Sequence, residues 1–162
     1  MPISFGIFAA LEAGFAPTPE EVARRMMEAA DLHREEMFYD LGSGDGTLLI
    51  TAAKEFGAHA VGFELQNKMV TYSRRRIRSL GLQGLIKVVR RNLFEANVGD
   101  ADVVALYLSP SVLRQLRSKL EKELKPRTRV VTYKYPVEGW NPKETLNAPD
   151  SRGDAKIFLY KL

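Results

Sequence analysis

The stretch Phe38-Tyr39-Asp40-Leu41-Gly42-Ser43-Gly44-Asp45-Gly46 constrains this chain more than any other. A short apolar run ends in an acid, glycines follow at alternate positions, and apolar residues then recur at helical spacing (Leu48, Leu49, Ala52, Ala53). Glycines accept positive φ and let a ligand approach the main chain with no Cβ in the way. A strand, a glycine turn and a helix in that order make the first corner of an open α/β sheet. Nucleotide-like ligands bind there, outside the strand end and at the helix N-terminus.

The spacing then chooses among such ligands. A dinucleotide fingerprint needs a third glycine three residues after the second, and that position is Thr47. Asp40 and Asp45 flank the turn and would repel a pyrophosphate. They suit a ligand with a cationic end and no phosphates, and S-adenosylmethionine, with its ammonium and sulfonium, is one. Val61-Gly62-Phe63-Glu64 puts an acid at the end of the next predicted strand. That is about 20 residues on, where an acceptor for ribose hydroxyls belongs.

With 162 residues the chain is expected to form one domain, and 45% hydrophobic with 27% charged residues describes a globular one. No cysteine is present, which removes disulfides, thiolate chemistry and thiolate metal sites. His33 and His59 are far apart in sequence and predict no metal cluster. The net charge of +4 favours acidic partners, nucleic acid or nucleic-acid-binding proteins, without choosing between them. No apolar run reaches the length of a membrane span. Ile3 to Phe15 is apolar but lacks a basic start and holds Glu12, so residues 1–17 read as a capping segment rather than a secretion signal. A cytoplasmic protein is expected.

Thr18-Pro19-Glu20-Glu21 predicts a helix start, with Thr18 as N-cap and Glu21 closing a capping box. Strands are predicted over Met37–Leu41, Ala58–Glu64, Leu85–Arg90, Asp102–Leu108 and Arg129–Tyr133, with helices between them. A helix from Asn67 to Leu80 stops at Gly81 and carries Arg74, Arg75, Arg76 and Arg78, either a solvated face or a partner-binding patch. Ser109-Pro110 opens the last helix, with Leu113, Leu116, Leu120 and Leu124 inward and Pro126 ending it. Thr145–Asn147 and Lys156–Tyr160 read as a terminal hairpin. Together these predict an α/β fold: a doubly wound, mostly parallel seven-stranded sheet with an antiparallel C-terminal hairpin.

Asp40-Leu41-Gly42-Ser43-Gly44-Asp45-Gly46, with Glu64 closing strand two, resembles the cofactor site of class I, seven-stranded S-adenosylmethionine-dependent methyltransferases. Pro17-Thr18-Pro19-Glu20, Leu120-Glu121-Lys122-Glu123-Leu124-Lys125-Pro126 and Gly139-Trp140-Asn141-Pro142-Lys143-Glu144 resemble the small archaeal protein-lysine methyltransferases. The likeness runs from Pro17 to the C-terminus. It implies a monomer that transfers methyl groups to exposed lysines of several proteins, basic chromatin proteins among them. It also implies cofactor contacts from Asp40, Leu41, Gly42, Gly44 and Glu64, and one from Thr18. Where relatives carry an acid after strand three this chain has Asn92, whose carbonyl oxygen can accept from an adenine amino group. Leu65 and Leu93 are the expected walls around the ring.

Methyl transfer from a sulfonium needs position and desolvation more than acid–base groups. The acceptor is expected beside Tyr107-Leu108-Ser109-Pro110, at the mouth of strand four. The Asn/Asp-Pro-Pro-aromatic motif of adenine and amide methyltransferases is missing there, which leaves an amine. Tyr107, Ser109, Tyr133 and Trp140 are the candidate acceptor-side residues, with Tyr135 beside them; strand tyrosines also serve simply as packing. With no histidine in the motifs and no spare carboxylate beside Tyr107, no dedicated general base is expected. Methylation of RNA or a small molecule, and a non-catalytic nucleic-acid-binding module, are the alternatives the sequence leaves open.

Overall fold

A computed structural model describes residues 16–162. The expected capping segment therefore lies almost wholly outside the described residues. The elements are α1 (Glu20–Ala29), β1 (Met37–Leu41), α2 (Thr47–Phe56), β2 (His59–Glu64), α3 (Asn67–Ser79), β3 (Ile86–Arg90), β4 (Val103–Leu106), α4 (Pro110–Glu123), β5 (Arg129–Tyr133), β6 (Glu144–Asn147) and β7 (Lys156–Lys161). A 3-10 turn, Leu93–Glu95, follows β3.

The seven strands form one sheet in the order β3-β2-β1-β4-β5-β7-β6. The pairs β1–β2, β2–β3, β1–β4 and β4–β5 are parallel, and β7 lies antiparallel between β5 and β6. The sheet is the doubly wound one expected from alternating strands and helices. Alternation along β1 divides the core, with Phe38 in a cluster under α1, α2 and α3, and Tyr39 and Leu41 in a cluster with Leu113, Leu116 and Leu120 of α4. The strand order reverses between β1 and β4, so a crevice must open at their carboxyl ends.

The start of α1 differs from expectation. The cap residue is Pro19 with no side-chain bond, and Thr18 is not the cap. Thr18 therefore stands one residue before the cap position, with Pro19 itself extended (φ −59°, ψ 143°). The predicted strand Asp102–Leu108 is shorter in fact, because Tyr107 and Leu108 leave the sheet at its carboxyl end. Helix α4 begins as expected, Ser109 Oγ accepting from Val112 N at 3.4 Å, but stops at Glu123. Leu124, two residues before Pro126, is already extended (φ −70°, ψ 133°).

Candidate functional site

The turn after β1 is pinned to β2 by main-chain bonds. Gly42 N and Ser43 N both donate to Phe63 O, at 2.8 and 3.0 Å. Gly42, Gly44 and Gly46 all have positive φ (84°, 53° and 83°), which any side chain with a Cβ would resist. Gly62 matters for another reason: a Cβ there would sit 2.6 Å from Ser43 Oγ and 2.5 Å from Leu49 Cδ1, so only glycine lets β2 pass beneath the turn.

Glu64 ties the corner together. Its Oε1 accepts from Gly44 N at 3.1 Å, and its Oε2 accepts from Leu65 N at 2.7 Å and Gln66 N at 3.1 Å. The carboxylate thus orders the glycine turn as well as standing at the strand end, a structural duty that the sequence does not reveal.

The two acids flanking the turn differ sharply. Asp45 Oδ1 accepts from Thr47 N at 3.0 Å at the start of α2, and Arg76 Nη1 lies 3.6 Å from its Oδ2. Asp40 is 2% exposed, and no described donor bonds its carboxylate. Burial, and then the nearby charges of Glu64 and Asp45, push its carboxyl well above the usual carboxylate range. A buried acid with no partner, facing a cavity, is a place prepared for a cation.

That cavity has a volume of about 340 Å³. Asp40, Gly42, Ser43 and Glu64 line it from the β1 and β2 corner, the cofactor end, and Tyr107, Leu108, Ser109 and Tyr135 line it from the segments after β4 and β5, the acceptor end, with Thr18 and Leu48 completing the wall and Gly42 close to Leu108. Of the residues expected from sequence, the structure gathers Thr18, Asp40, Gly42, Glu64, Tyr107 and Ser109 on one wall or another. Gly44 stands behind the wall as the donor to Glu64. Ser43 Oγ, unexpected from sequence, is buried there without a hydrogen-bond partner among the described residues.

Other expected residues lie apart from that wall. Leu41 is fully buried in the α4-side core. Leu65 is 56% exposed, and Leu93 packs against the core from the 3-10 turn. Asn92 Oδ1 accepts from Phe94 N at 3.0 Å and so caps that turn with one of its two lone pairs. Tyr133 is fully buried, with its hydroxyl donating to Asp150 Oδ2 at 3.1 Å and Ala148 O at 3.2 Å. Trp140 packs on Tyr160 at 5.4 Å between ring centres and donates from Nε1 to Glu121 Oε1 at 2.8 Å, on the α4 side.

The acceptor end contains a charged cluster with no sequence motif. Asp150 Oδ2 receives Lys134 Nζ at 3.0 Å and Arg152 Nη2 at 3.2 Å, beside the Tyr133 hydroxyl. Arg152 Nη2 also donates to the Tyr107 hydroxyl at 3.4 Å, and Lys134 Nζ lies 5.8 Å from the centre of the Tyr107 ring. A carboxylate therefore stands near Tyr107, linked to it through Arg152, but it is already paired and is not a spare one. Lys134 above all, then the Arg152 backbone, hold its carboxyl well below the usual range. Burial, with the Asp150 hydrogen bond next, pushes the Tyr133 hydroxyl up to about 12. An acid so well neutralised is a poor proton acceptor, and a phenol so shifted stays protonated.

The cofactor end fits S-adenosylmethionine on these observations: an unpartnered buried acid for a cation, a strand-end carboxylate, exposed backbone at Gly42 and an unpartnered serine hydroxyl. Asp40 and Glu64 would hold it, and Arg76, bound to Asp45, leaves the second flanking acid out of the competition.

Comparison with known proteins agrees. The family described as the ANTKMT methyltransferase domain matches residues 40–144. A protein-lysine N-methyltransferase of Saccharolobus islandicus (strain REY15A) is 42% identical over 147 residues, 90% of this chain and 91% of that protein. The adenine nucleotide translocase lysine N-methyltransferase of Mus musculus is 34% identical over 121 residues, 75% of this chain and 51% of that protein, so the chain spans about half of its length. An RNA methyltransferase from Salinibacter ruber, solved with S-adenosyl-L-homocysteine, superposes with a TM-score of 0.84 at 38% identity, over 90% of this chain and 93% of that one.

Proposed function

The chain belongs to the ANTKMT methyltransferase domain family, S-adenosylmethionine-dependent enzymes, and we propose that it transfers methyl groups to the ε-amine of protein lysines. What carries the reading is the 42% identity, over nine tenths of both chains, to a protein of that activity. The acceptor end supports it with tyrosines 107 and 135 on the wall, aromatic faces that suit a methylene stem and a cationic head.

When bound, the cofactor supplies an electrophilic methyl group on a cationic sulfur. The chain's own residues bind, orient and exclude water. Asp40, itself buried, neutralises positive charge, Glu64 fixes the glycine turn and offers its remaining lone pairs, and the turn's backbone forms the floor. Tyr107 is held from behind by Arg152, which is held in turn by Asp150. With Asp150 already saturated by cations, the lysine proton leaves to water rather than to a side chain.

Leu41, Gly42, Gly44, Leu65, Asn92 and Leu93 belong to the proposed cofactor contacts, and Ser109 to the acceptor mouth with Tyr107. Tyr133 supports that mouth from within the core; Trp140 remains a proposed substrate contact. A monomeric cytoplasmic enzyme acting on several proteins, including basic chromatin proteins, completes the reading, on the resemblance to the archaeal enzymes. Methylation of RNA is the second reading, favoured by the likeness to the Salinibacter ruber protein.

Labelled cofactor incubated with the pure protein and a whole-cell extract separates the two. Label in protein, released as methyllysine on hydrolysis, is the expected result. Label in RNA alone would replace the lysine reading with the second.

A further inference from the structure

The basic excess of this chain is confined to one edge. Residues 66–91 hold eight of the 24 Lys and Arg and no Asp or Glu. The rest of the chain therefore carries 16 basic against 20 acidic residues and is acidic on balance. That segment is α3 and β3, and β3 is the outermost strand on its side of the sheet.

Three of the eight cations have structural work. Arg74 donates to Val88 O at 2.7 Å, Arg76 braces Asp45 and Thr47, and Arg90 donates to Leu65 O at 3.4 Å. The other five, Lys68, Arg75, Arg78, Lys87 and Arg91, are exposed, and no described acid lies within ion-pair distance of any of them. Lys68, Arg75 and Arg78 fall on one stripe of α3, at spacings of seven and three residues. The helix is about 20 Å long, enough to meet several successive phosphates.

We propose that the α3–β3 edge is a docking surface for single-stranded nucleic acid, separate from the methyl-acceptor mouth. Unpaired cations along α3, with Lys87 on the opposite face of the same sheet edge and no acid among them, suit phosphates passing along that edge. Guanidinium forks suit phosphate oxygens especially well. At the carboxyl end of β3, Phe94 is 38% exposed just after Arg90 and Arg91 and offers a face for base stacking. The acceptor mouth lies at the end of β4, three strand positions away across β2 and β1. That separation is about 14 Å, so the edge holds a polymer beside the site rather than presenting its bases for methylation.

The test measures binding by the full chain to a fluorescein-labelled 20-nucleotide RNA, and to the DNA of the same sequence, by anisotropy. Neutralising roughly three to five phosphates predicts a 20- to 100-fold loss of affinity between about 50 and 200 mM KCl. The variant Arg75→Glu/Arg78→Glu/Lys87→Glu should bind at least 30-fold more weakly. A control of equal charge change, Lys122→Glu/Lys143→Glu/Lys161→Glu, should lose less than threefold. Melting temperature and S-adenosylhomocysteine affinity check that the variants fold, and the milder Arg75→Gln/Arg78→Gln/Lys87→Gln serves if the charge reversal does not. Equal losses in edge and control variants would overturn the proposal, since net charge alone would then act. So would competition by polyglutamate as strong as by the oligonucleotide, which would assign the edge to an acidic protein. Absence of binding at low salt would reduce the cations to guards against pairing of an exposed edge strand. None of these readouts uses methyl transfer, so they stand or fall apart from the lysine assignment.

Discussion

The two ends of one cavity are built in opposite ways. The cofactor end comes from a single βαβ corner, residues 40–46 with Glu64, and leaves a buried carboxylate without a partner among the described residues. At the acceptor end the wall residue Tyr107 is backed by Lys134, Asp150 and Arg152 from separate segments, and the charges of that backing cluster are paired with one another. An unpaired acid raises the free energy of the empty site and lowers it when a cation arrives. A saturated cluster does neither; it fixes the shape of the wall. One end is made to bind and the other to position.

The largest effect should come from Glu64→Ala, which removes the acceptor for three backbone N–H groups as well as a proposed ribose contact. Affinity for S-adenosylhomocysteine should fall about 100-fold, roughly 2.7 kcal/mol, and the melting temperature should fall with it. Unchanged binding in a calorimetric titration would break the claim that this corner is the cofactor end.

Asp40→Asn should weaken the same ligand roughly 30-fold, about 2 kcal/mol, yet raise the melting temperature of the free protein. The sign follows from the raised carboxyl of Asp40. Between the ordinary carboxylate pKa of about 3.9 and its higher folded value, the native state holds the extra proton, so stability declines as pH rises through that window. The substitution should flatten that decline. A variant that loses both affinity and stability would mean that Asp40 has a structural partner after all.

At the other end, the single-turnover rate on a lysine peptide should climb with pH by about tenfold per unit, until the amine's own pKa is met. A reference lysine pKa near 10.4 and a saturated Asp150 together predict that slope. A rate that is flat above neutral pH would reveal a base at the acceptor end and erase the contrast between the two ends.

The smallest effect belongs to Tyr107→Phe. Among the described residues its hydroxyl accepts one long 3.4 Å bond, from Arg152, and the ring remains. A change in kcat/KM under about threefold is expected, or about 0.7 kcal/mol. A loss like that of Asp40→Asn in the same assay would make the hydroxyl part of the chemistry.

The sequence by itself determined the cofactor corner, because everything needed there is contiguous or one strand away. Alternation, glycine spacing and a strand-end acid are local signals, and Gly42, Asp40 and Glu64 stand where they place them. The sheet followed for the same reason, each βα unit announcing itself through its own periodicity. Other assignments needed tertiary structure. Asp45 looks equivalent to Asp40 until Arg76, 31 residues on, is folded against it. Thr18 looks like a cap until the helix starts one residue later than a cap would require. Asp150 and Arg152 look like a plain turn, and Lys134 like a strand end. The antiparallel insertion of β7 between β5 and β6 carries that turn back to Tyr107. The cationic edge is divided between the two levels: the run of arginines is plain in the chain, but which of them are free depends on what α3 packs against. Spacing along a chain reports the contacts of one element with itself, whereas the pairing of charges is settled by neighbours that only the sheet order brings together.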